Sequence, residues 1–196
     1  MRVDIYDNEG ELVHQREHHG AAVSPNLCDT FRDSRGMPVP QWPSLLLPSA
    51  TVIVVDQSVM GHQERHHGPW RVLVHQRADN CWWAFPGGRQ EIGESIQACA
   101  LRECEEETGY RVRLEQLVSV DSDPCHGAVV VYPDDNIIQY TNLTFLATIV
   151  GGTLRCSEES REIRWVMTDV LPVPFLPSHL WRLTMAQHHS SAVSVR

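Results

Sequence analysis

The sequence predicts a mixed α/β domain, and three observations lead to this fold class. Runs of β-branched and other apolar residues recur along the chain, as in 50–56 and 71–77, and are typical of strands. Segment 95–108 carries the start and stop signals of a helix. Segment 177–186 predicts a second, closing helix near the end of the chain. Further strands are expected at 110–122, 128–133, 137–150 and 162–166.

The two ends of the chain are predicted to lie outside this domain. Strand-like segments 3–6 and 11–15 flank the turn sequence DNEG and predict a β-hairpin. Residues 20–48 are rich in proline and predict irregular structure. We therefore expect a hairpin and proline-rich arm over 1–47, a domain over 48–186 and a flexible tail over 187–196.

The composition excludes several functional classes. Hydrophobic residues make up 42% of the chain and charged residues 21%, which is ordinary for a globular protein. No apolar run is long enough for a transmembrane helix, and the N-terminus lacks the apolar segment of a signal peptide, so we expect a cytoplasmic protein. The net charge is −9 and the 16 basic residues are all arginine. This acidic balance argues against a nucleic-acid partner, and the lack of an apolar span argues against a membrane partner. A protein of this charge that handles phosphates would need to bring in cations.

The helix predicted over 95–108 has a recognisable beginning, end and inward face. Ser95 is a suitable N-cap, and Gly109 stands where a C-terminal glycine belongs. At about 100° per residue, the small apolar residues of this helix fall on one face. These residues are Cys99, Ala100 and Cys104.

The acidic run of this helix, RECEEETG, is directed mainly toward the protein. Glu103 and Glu107 fall within the apolar face, Glu106 lies at its edge, and only Glu105 points to solvent. Acids in the last turns of a helix are unfavourable, so the helix dipole does not explain them. Inward carboxylates repel one another, and Arg102 is expected to reach only one of them. Hard divalent cations, Mg²⁺ or Mn²⁺, prefer such oxygen ligands and accompany substrates that carry phosphates.

Segment 88–110, GRQEIGESIQACALRECEEETGY, resembles the Nudix box, written G-x5-E-x7-R-E-U-x-E-E-x-G-U with U a bulky apolar residue. Cys104 and Tyr110 occupy the two U positions. The wider stretch 48–183 also resembles bacterial Nudix domains, whereas the first 45 or so residues match no family pattern. The fixed positions that match are Gly88, Glu94, Arg102, Glu103, Glu106, Glu107 and Gly109.

The resemblance implies a Nudix fold, in which a mixed β-sheet is sandwiched between helices and the box forms a loop, helix and loop. It implies hydrolysis of a nucleoside diphosphate linked to another moiety, X, with Mg²⁺ (or Mn²⁺) as cofactor. By position, Arg102 would orient a catalytic glutamate and Glu94 would support the loop. The implied metal ligands are the Gly87 carbonyl and the carboxylates of Glu103, Glu106 and Glu107.

The sequence does not identify the general base. The resemblance allows either Glu103 or a glutamate on a later loop. Glu159 is our candidate for the second scheme, beside Glu158 and Glu162, with Asp134 and Asp135 behind them. Glu162 is explained equally well as a strand-surface residue near Arg164.

The resemblance implies a nucleotide-type small molecule as substrate, and an ADP-ribose-like compound is our first choice. Arg77 and Arg89 are candidates for binding its outer phosphates, and Trp83 for stacking on its base, with Tyr132, Tyr140 and Trp165 also available. The alternatives are a nucleoside triphosphate pyrophosphohydrolase and a non-catalytic nucleotide sensor, although a sensor is expected to lose box carboxylates. The N-terminal arm is predicted to cover the cleft or to be exchanged within a homodimer.

Overall fold

In a computed structural model, the chain is described at residues 2–6, 12–17, 31–39, 42–56, 68–132, 136–188 and 193–195. Its helices are α1 (Ile96–Thr108) and α2 (Pro177–His188), and a 3₁₀ turn covers Pro124–His126. The strands are β1 (Arg2–Tyr6), β2 (Leu12–Glu17), β3 (Leu45–Val54), β4 (Arg71–Arg77), β5 (Trp83–Ala84), β6 (Gly87–Arg89), β7 (Tyr110–Asp121), β8 (Val129–Val131), β9 (Ile137–Gly152), β10 (Ser160–Met167) and β11 (Ser194–Val195).

The main sheet is mixed, which confirms the predicted fold class. Its strand order is β11-β7-β9-β3-β6, and β8 extends it by pairing with β9 on the side where β7 also pairs. β3 runs parallel to β9, whereas β6, β7 and β8 run antiparallel to their neighbours. A second sheet has the order β10-β4-β5, and β1 pairs with β2 as the predicted hairpin.

Two segments differ from the sequence prediction. β3 begins at Leu45, inside the stretch predicted to be irregular, because it pairs with β9 along its whole length. Pro48 lies within this strand, and its carbonyl accepts a hydrogen bond from the Gln90 amide at 3.0 Å. At the other end, Ser194 and Val195 pair in parallel with β7, where we predicted a flexible tail.

The core lies on both faces of the sheet, since alternate residues of a strand point to opposite sides. On one face, Val52 and Val54 of β3 pack with the apolar residues of α1. On the other, Ile53 and Val55 pack in a cluster that includes Leu183 of α2. α1 and its acidic residues are therefore fixed against the central strand. In the described part of the chain, no helix has the length and apolar character that a membrane span requires.

Candidate active site

Helix α1 presents its carboxylates as the sequence predicts. The Ser95 hydroxyl accepts a hydrogen bond from the Ala98 amide at 3.1 Å, and this cap starts the helix at Ile96. Gly109 ends it in the left-handed region, with φ 75°, and donates its amide hydrogen to the Glu105 carbonyl. The three residues predicted to form the inward face are fully buried: Cys99, Ala100 and Cys104.

Glu107 is the most deeply buried of the four acids, with 4% of its surface exposed. Its Oε2 accepts the amide hydrogen of Gly87 at 2.8 Å. Burial raises the pKa of this carboxyl to about 8, and the charges of Glu103 and Glu159 act in the same direction. The Gly87 amide and the charge of Arg77 oppose this shift without cancelling it, so the site favours an added positive charge.

Glu103 and Glu106 line the cavity beside Glu107, but Glu106 is much more exposed to solvent than Glu103. Burial raises the pKa of Glu103, and Arg102 opposes this shift. Glu106 lies at the edge of the helix face, as predicted, and its side chain is 60% exposed. Glu105 is exposed to solvent, also as predicted.

Gly87 and Gly88 allow the backbone of β6 to pass close to its neighbours. A Cβ at Gly87 would lie 2.2 Å from the Ala50 carbonyl oxygen, so only glycine lets β6 approach β3 this closely. A Cβ at Gly88 would lie 2.5 Å from the carboxyl carbon of Glu103. The Glu103 carboxylate therefore rests directly against the backbone of β6.

Arg102 contacts more carboxylates than the sequence predicted. We expected it to reach only one, but its Nη1 donates to Glu103 at 2.8 Å and to Glu106 at 3.0 Å. Its Nε and Nη2 donate to the two oxygens of Glu94 at 3.1 and 2.7 Å. The planar guanidinium makes this possible, because its donors lie on several edges.

Glu94 is bonded both to Arg102 and to the loop before α1. The hydrogen bonds from Arg102 lower the pKa of its carboxyl to about 2, and the Glu91 amide donates to the same side chain at 2.8 Å. Glu94 is thus ionised at neutral pH and holds Arg102 against the loop before α1.

His75 lies behind Glu107 and was not singled out by the sequence. It is 1% exposed, its Nδ1 is 2.8 Å from the Ser160 hydroxyl, and its Nε2 is 3.8 Å from Glu107 Oε1. Burial lowers its pKa to about 4, and the charge of Arg77 contributes to the shift. The ring is therefore neutral at physiological pH and does not compensate a charge on Glu107.

The acidic residues line one side of a cavity of about 860 Å³. Its wall contains positive charge as well, from Arg35, Arg77, Arg89, Arg102 and Arg182. Arg77 is held by Asp79, to which its Nε and Nη2 donate at 3.0 and 2.7 Å. A cavity with carboxylates and arginines on its walls fits a polyanion that is bound together with a cation.

The donor set of the site fits a hard divalent cation. All the acidic donors are oxygens, and the buried Glu107 carboxyl has neighbouring negative charges that raise its pKa. Within the described ranges, no group of three acidic, histidine or cysteine side chains converges into a complete coordination sphere. Instead, Arg102 bridges Glu103 and Glu106 and holds both carboxylates at the cavity wall.

The structure distinguishes between the three glutamates that follow the box and are candidates for the general base. Glu159 lines the cavity, and its charge acts on both Glu103 and Glu107. Glu162 instead forms an ion pair with Arg164, as the surface interpretation predicted, and Glu158 lies outside the cavity wall. Asp134 and Asp135 lie outside the described residues.

Only some of the residues predicted to bind substrate line the cavity. Arg77 and Arg89 line the cavity, as do Tyr132 and Tyr140, whose hydroxyls are 2.7 Å apart. Trp83 does not line it, so its proposed stacking role is wrong. Its ring is 4% exposed and fills the core, because β5 pairs with β4 there, and Arg164 lies 4.9 Å from the ring centre. Trp165 also packs against the core rather than lining the cavity.

Several cavity residues were missed because they come from distant parts of the chain. Asp33, Ser34 and Arg35 enter from the arm, and His179 and Arg182 enter from α2. The Phe85 amide donates to His179 Nδ1 at 3.0 Å, which places the ring hydrogen on Nε2, and burial lowers its pKa. Only the expectation that the arm covers the cleft pointed toward any of these residues.

Comparison with known proteins identifies the family of the central domain. The NUDIX domain family matches residues 48–186. A MutT-like protein of Streptomyces ambofaciens is 35% identical over 112 residues, which cover 57% of this chain and 64% of that protein. An ADP-ribose pyrophosphatase of Methanocaldococcus jannaschii is 28% identical over 52% of this chain and 57% of its own length. A putative 8-oxo-dGTP diphosphatase of Bacillus subtilis is 27% identical over 64% of this chain and 76% of its own length.

Solved structures share the fold at lower sequence identity. A Streptococcus suis ADP-ribose pyrophosphatase superposes with a TM-score of 0.54 at 17% identity, over 76% of this chain and 97% of that one. The chain belongs to the Nudix family, on the match of its central domain. It spans somewhat less than two thirds of the length of the S. ambofaciens relative.

Proposed function

We propose that the protein hydrolyses the diphosphate linkage of a nucleoside diphosphate joined to a moiety X, with Mg²⁺ (or Mn²⁺) as cofactor and an ADP-ribose-like compound as substrate. The observation that carries this proposal is the buried Glu107 carboxyl beside Glu103, at the wall of a large cavity that also presents arginines. The reaction is an in-line attack of water on phosphorus.

In this proposal, the cation would be held by Glu103, Glu106, Glu107 and the Gly87 carbonyl. A bound divalent ion neutralises phosphate charge and lowers the pKa of a coordinated water. The protein's own contribution is orientation: Arg102 fixes Glu103 and Glu106, and Glu94 fixes Arg102. The hydrogen bond from Gly87 keeps Glu107 turned toward β6.

The remaining side chains act on the substrate and on the attacking water. Arg77 and Arg89 would bind outer phosphate oxygens, since both line the cavity and arginine donors match phosphate geometry. Glu159 lines the same cavity and is the alternative to Glu103 as general base. A base must reach the attacking water through a hydrogen bond, and both residues stand on the wall that the acids form.

The size of the cavity favours a diphosphate with groups on both sides. At about 860 Å³ it lies near the upper end of the usual range of ligand pockets, roughly 300–1,000 Å³. The M. jannaschii relative supports the ADP-ribose-like choice. The B. subtilis relative supports the alternative, a nucleoside triphosphate pyrophosphohydrolase. The expected homodimer and cytoplasmic location stay predictions.

The test is turnover of a nucleotide panel with Mg²⁺, with products separated by chromatography. ADP-ribose should yield AMP and ribose 5-phosphate, whereas a nucleoside triphosphate would yield the monophosphate and pyrophosphate. We expect Glu106→Gln combined with Glu107→Gln to lower kcat/KM at least about 100-fold, because the metal-binding charge is removed.

Glu105→Gln is the matched control, since Glu105 lies on the same helix but faces solvent. It should retain wild-type activity. If the double variant turns over the panel as fast as wild type, the assignment of the metal site is wrong.

A further inference from the structure

We infer that the arm segment 31–39 forms a fixed wall of the substrate cavity and that Arg35 binds the part of the substrate that lies beyond the diphosphate. This inference rests on the proposed function, and it adds a binding residue from outside the stretch that matches the family. The ligand chemistry is a group rich in oxygen acceptors, such as the hydroxyls or terminal phosphate of a sugar.

The arm is tied to the domain by its backbone. The Arg32 amide donates to the Pro124 carbonyl at 3.0 Å, and the Ser34 amide donates to the Val129 carbonyl at 2.8 Å. Asp33 forms a parallel bridge with Val129 of β8. These bonds hold segment 31–39 as an added edge beside β8.

Asp33 fixes the conformation of the arm at the cavity. It is 2% exposed, and its Oδ1 accepts the amide hydrogens of Arg35 and Met37 at 2.9 and 2.8 Å. Its Oδ2 accepts from Nε and Nη2 of Arg35 at 2.9 and 2.7 Å. The carboxylate is therefore fully engaged within the arm and serves to orient Arg35.

Arg35 can donate in a second direction. Its pair with Asp33 uses Nε and Nη2, so the Nη1 amino group lies outside that pair. Arg35 lines the cavity, and its side chain is partly exposed there. A guanidinium held on one edge loses little further freedom when its other edge binds a ligand.

The strand order places this donor far from the acidic helix. From β6, which contacts the acids, the path across the sheet runs through β3, β9 and β8 to Asp33. The path crosses four spacings between neighbouring strands of roughly 4.8 Å each, so β6 and the arm lie roughly 19 Å apart across the sheet. A diphosphate held at the acids does not reach the arm by itself, whereas a nucleoside or sugar attached to it extends in that direction.

The experiment compares two non-hydrolysable ligands of different reach, measured by calorimetry with Mg²⁺. The long ligand is the methylene-bridged analogue of ADP-ribose, and the short one is methylenediphosphonate. We expect Arg35→Lys to raise the Kd of the long ligand about tenfold and to leave the Kd of the short ligand unchanged. Lysine keeps a cation beside Asp33 but cannot bind Asp33 and the ligand with separate edges.

Arg113→Lys is the matched control, because Arg113 also donates through Nε and Nη2 to an acid two residues away, Glu115, outside the cavity. It should bind both ligands as wild type does. The terminal ribose of this analogue ends in hydroxyls. Comparing it with a version that carries an added phosphate on that ribose distinguishes hydroxyl recognition from phosphate recognition.

Two results would overturn the inference: an unchanged Kd for the long ligand, or an equal loss for both ligands. Either can occur while wild-type protein still hydrolyses the panel, which would leave the proposed function intact. Conversely, a wild-type protein that binds the long analogue but hydrolyses no member of the panel refutes the proposed function and not the role of Arg35.

Discussion

Arg102 organises the acidic site at the scale of a single residue, because one guanidinium contacts three carboxylates. Glu103 and Glu106 face the cavity, while Glu94 anchors the arginine from the loop. The box pattern implied that arginine orients a glutamate, but it did not imply this number of contacts. Sequence spacing gives the direction of each side chain, whereas the reach of a flexible arginine depends on the folded loop.

We predict that Arg102→Lys lowers kcat roughly 10- to 100-fold, the usual cost of losing a group that orients metal ligands. A lysine ammonium is a single point of charge and cannot bridge Glu94, Glu103 and Glu106 together. Steady-state kinetics with Mg²⁺ would measure the loss, with Arg113→Lys as control. A variant with wild-type kcat would show that the bridge has no catalytic role.

At the scale of elements, helix α1 was the best-predicted part of the protein. Ser95, Gly109 and the inward face of Cys99, Ala100 and Cys104 all follow from local signals that act within a few residues. Trp83 was predicted wrongly because the same ring suits a core or a stacking surface, and only the pairing of β5 with β4 decides between them.

Helix α2 carries a buried histidine that links stability to pH. The folded state holds His179 neutral, since burial and the charge of Arg182 lower its pKa well below 6.5. The unfolded chain therefore binds a proton that the folded protein does not as the pH falls below 6.5. The contribution of this residue to stability is full above pH 6.5 and decreases below it.

We predict that His179→Gln makes the free energy of unfolding less sensitive to pH between 6.5 and 5, by up to about 1.4 kcal/mol per pH unit. Urea titrations at several pH values would measure this difference. The lowered pKa of His75 and the raised pKa of Glu107 act with opposite signs and are the same in both proteins, so the difference between the two slopes isolates His179. Identical slopes for variant and wild type would contradict the prediction.

At the scale of the whole molecule, the cavity combines segments that are far apart in sequence. The box predicted the acidic wall, because its carboxylates lie within one short segment. Asp33, Arg35, His179 and Arg182 were not predictable in this way, since long-range strand pairing and the docking of α2 bring them to the wall. The sequence could therefore predict the class of reaction better than it could predict the substrate.

Cation binding should appear as added stability of the whole domain. A ligand that binds only the folded state at 100 times its Kd adds about 2.7 kcal/mol, which raises the Tm of a chain of this size by roughly 5–10 °C. We predict such a rise when Mg²⁺ replaces EDTA in thermal melts of wild type and of Glu105→Gln. Glu107→Gln should lose most of it, and an equal rise in that variant would place the cation elsewhere.

The long parallel pairing of β3 with β9 also determines when during synthesis the site can form. Thr51 pairs with Thr144, so β3 lacks this neighbour until β9 has been synthesised and has left the ribosome. β6 pairs with β3 and binds Glu107 through the Gly87 amide, and these segments all precede β9 in the chain. Contacts as distant in sequence as those of β3 with β9 form slowly, so the acidic side of the cavity can assemble before the wall that β9 contributes.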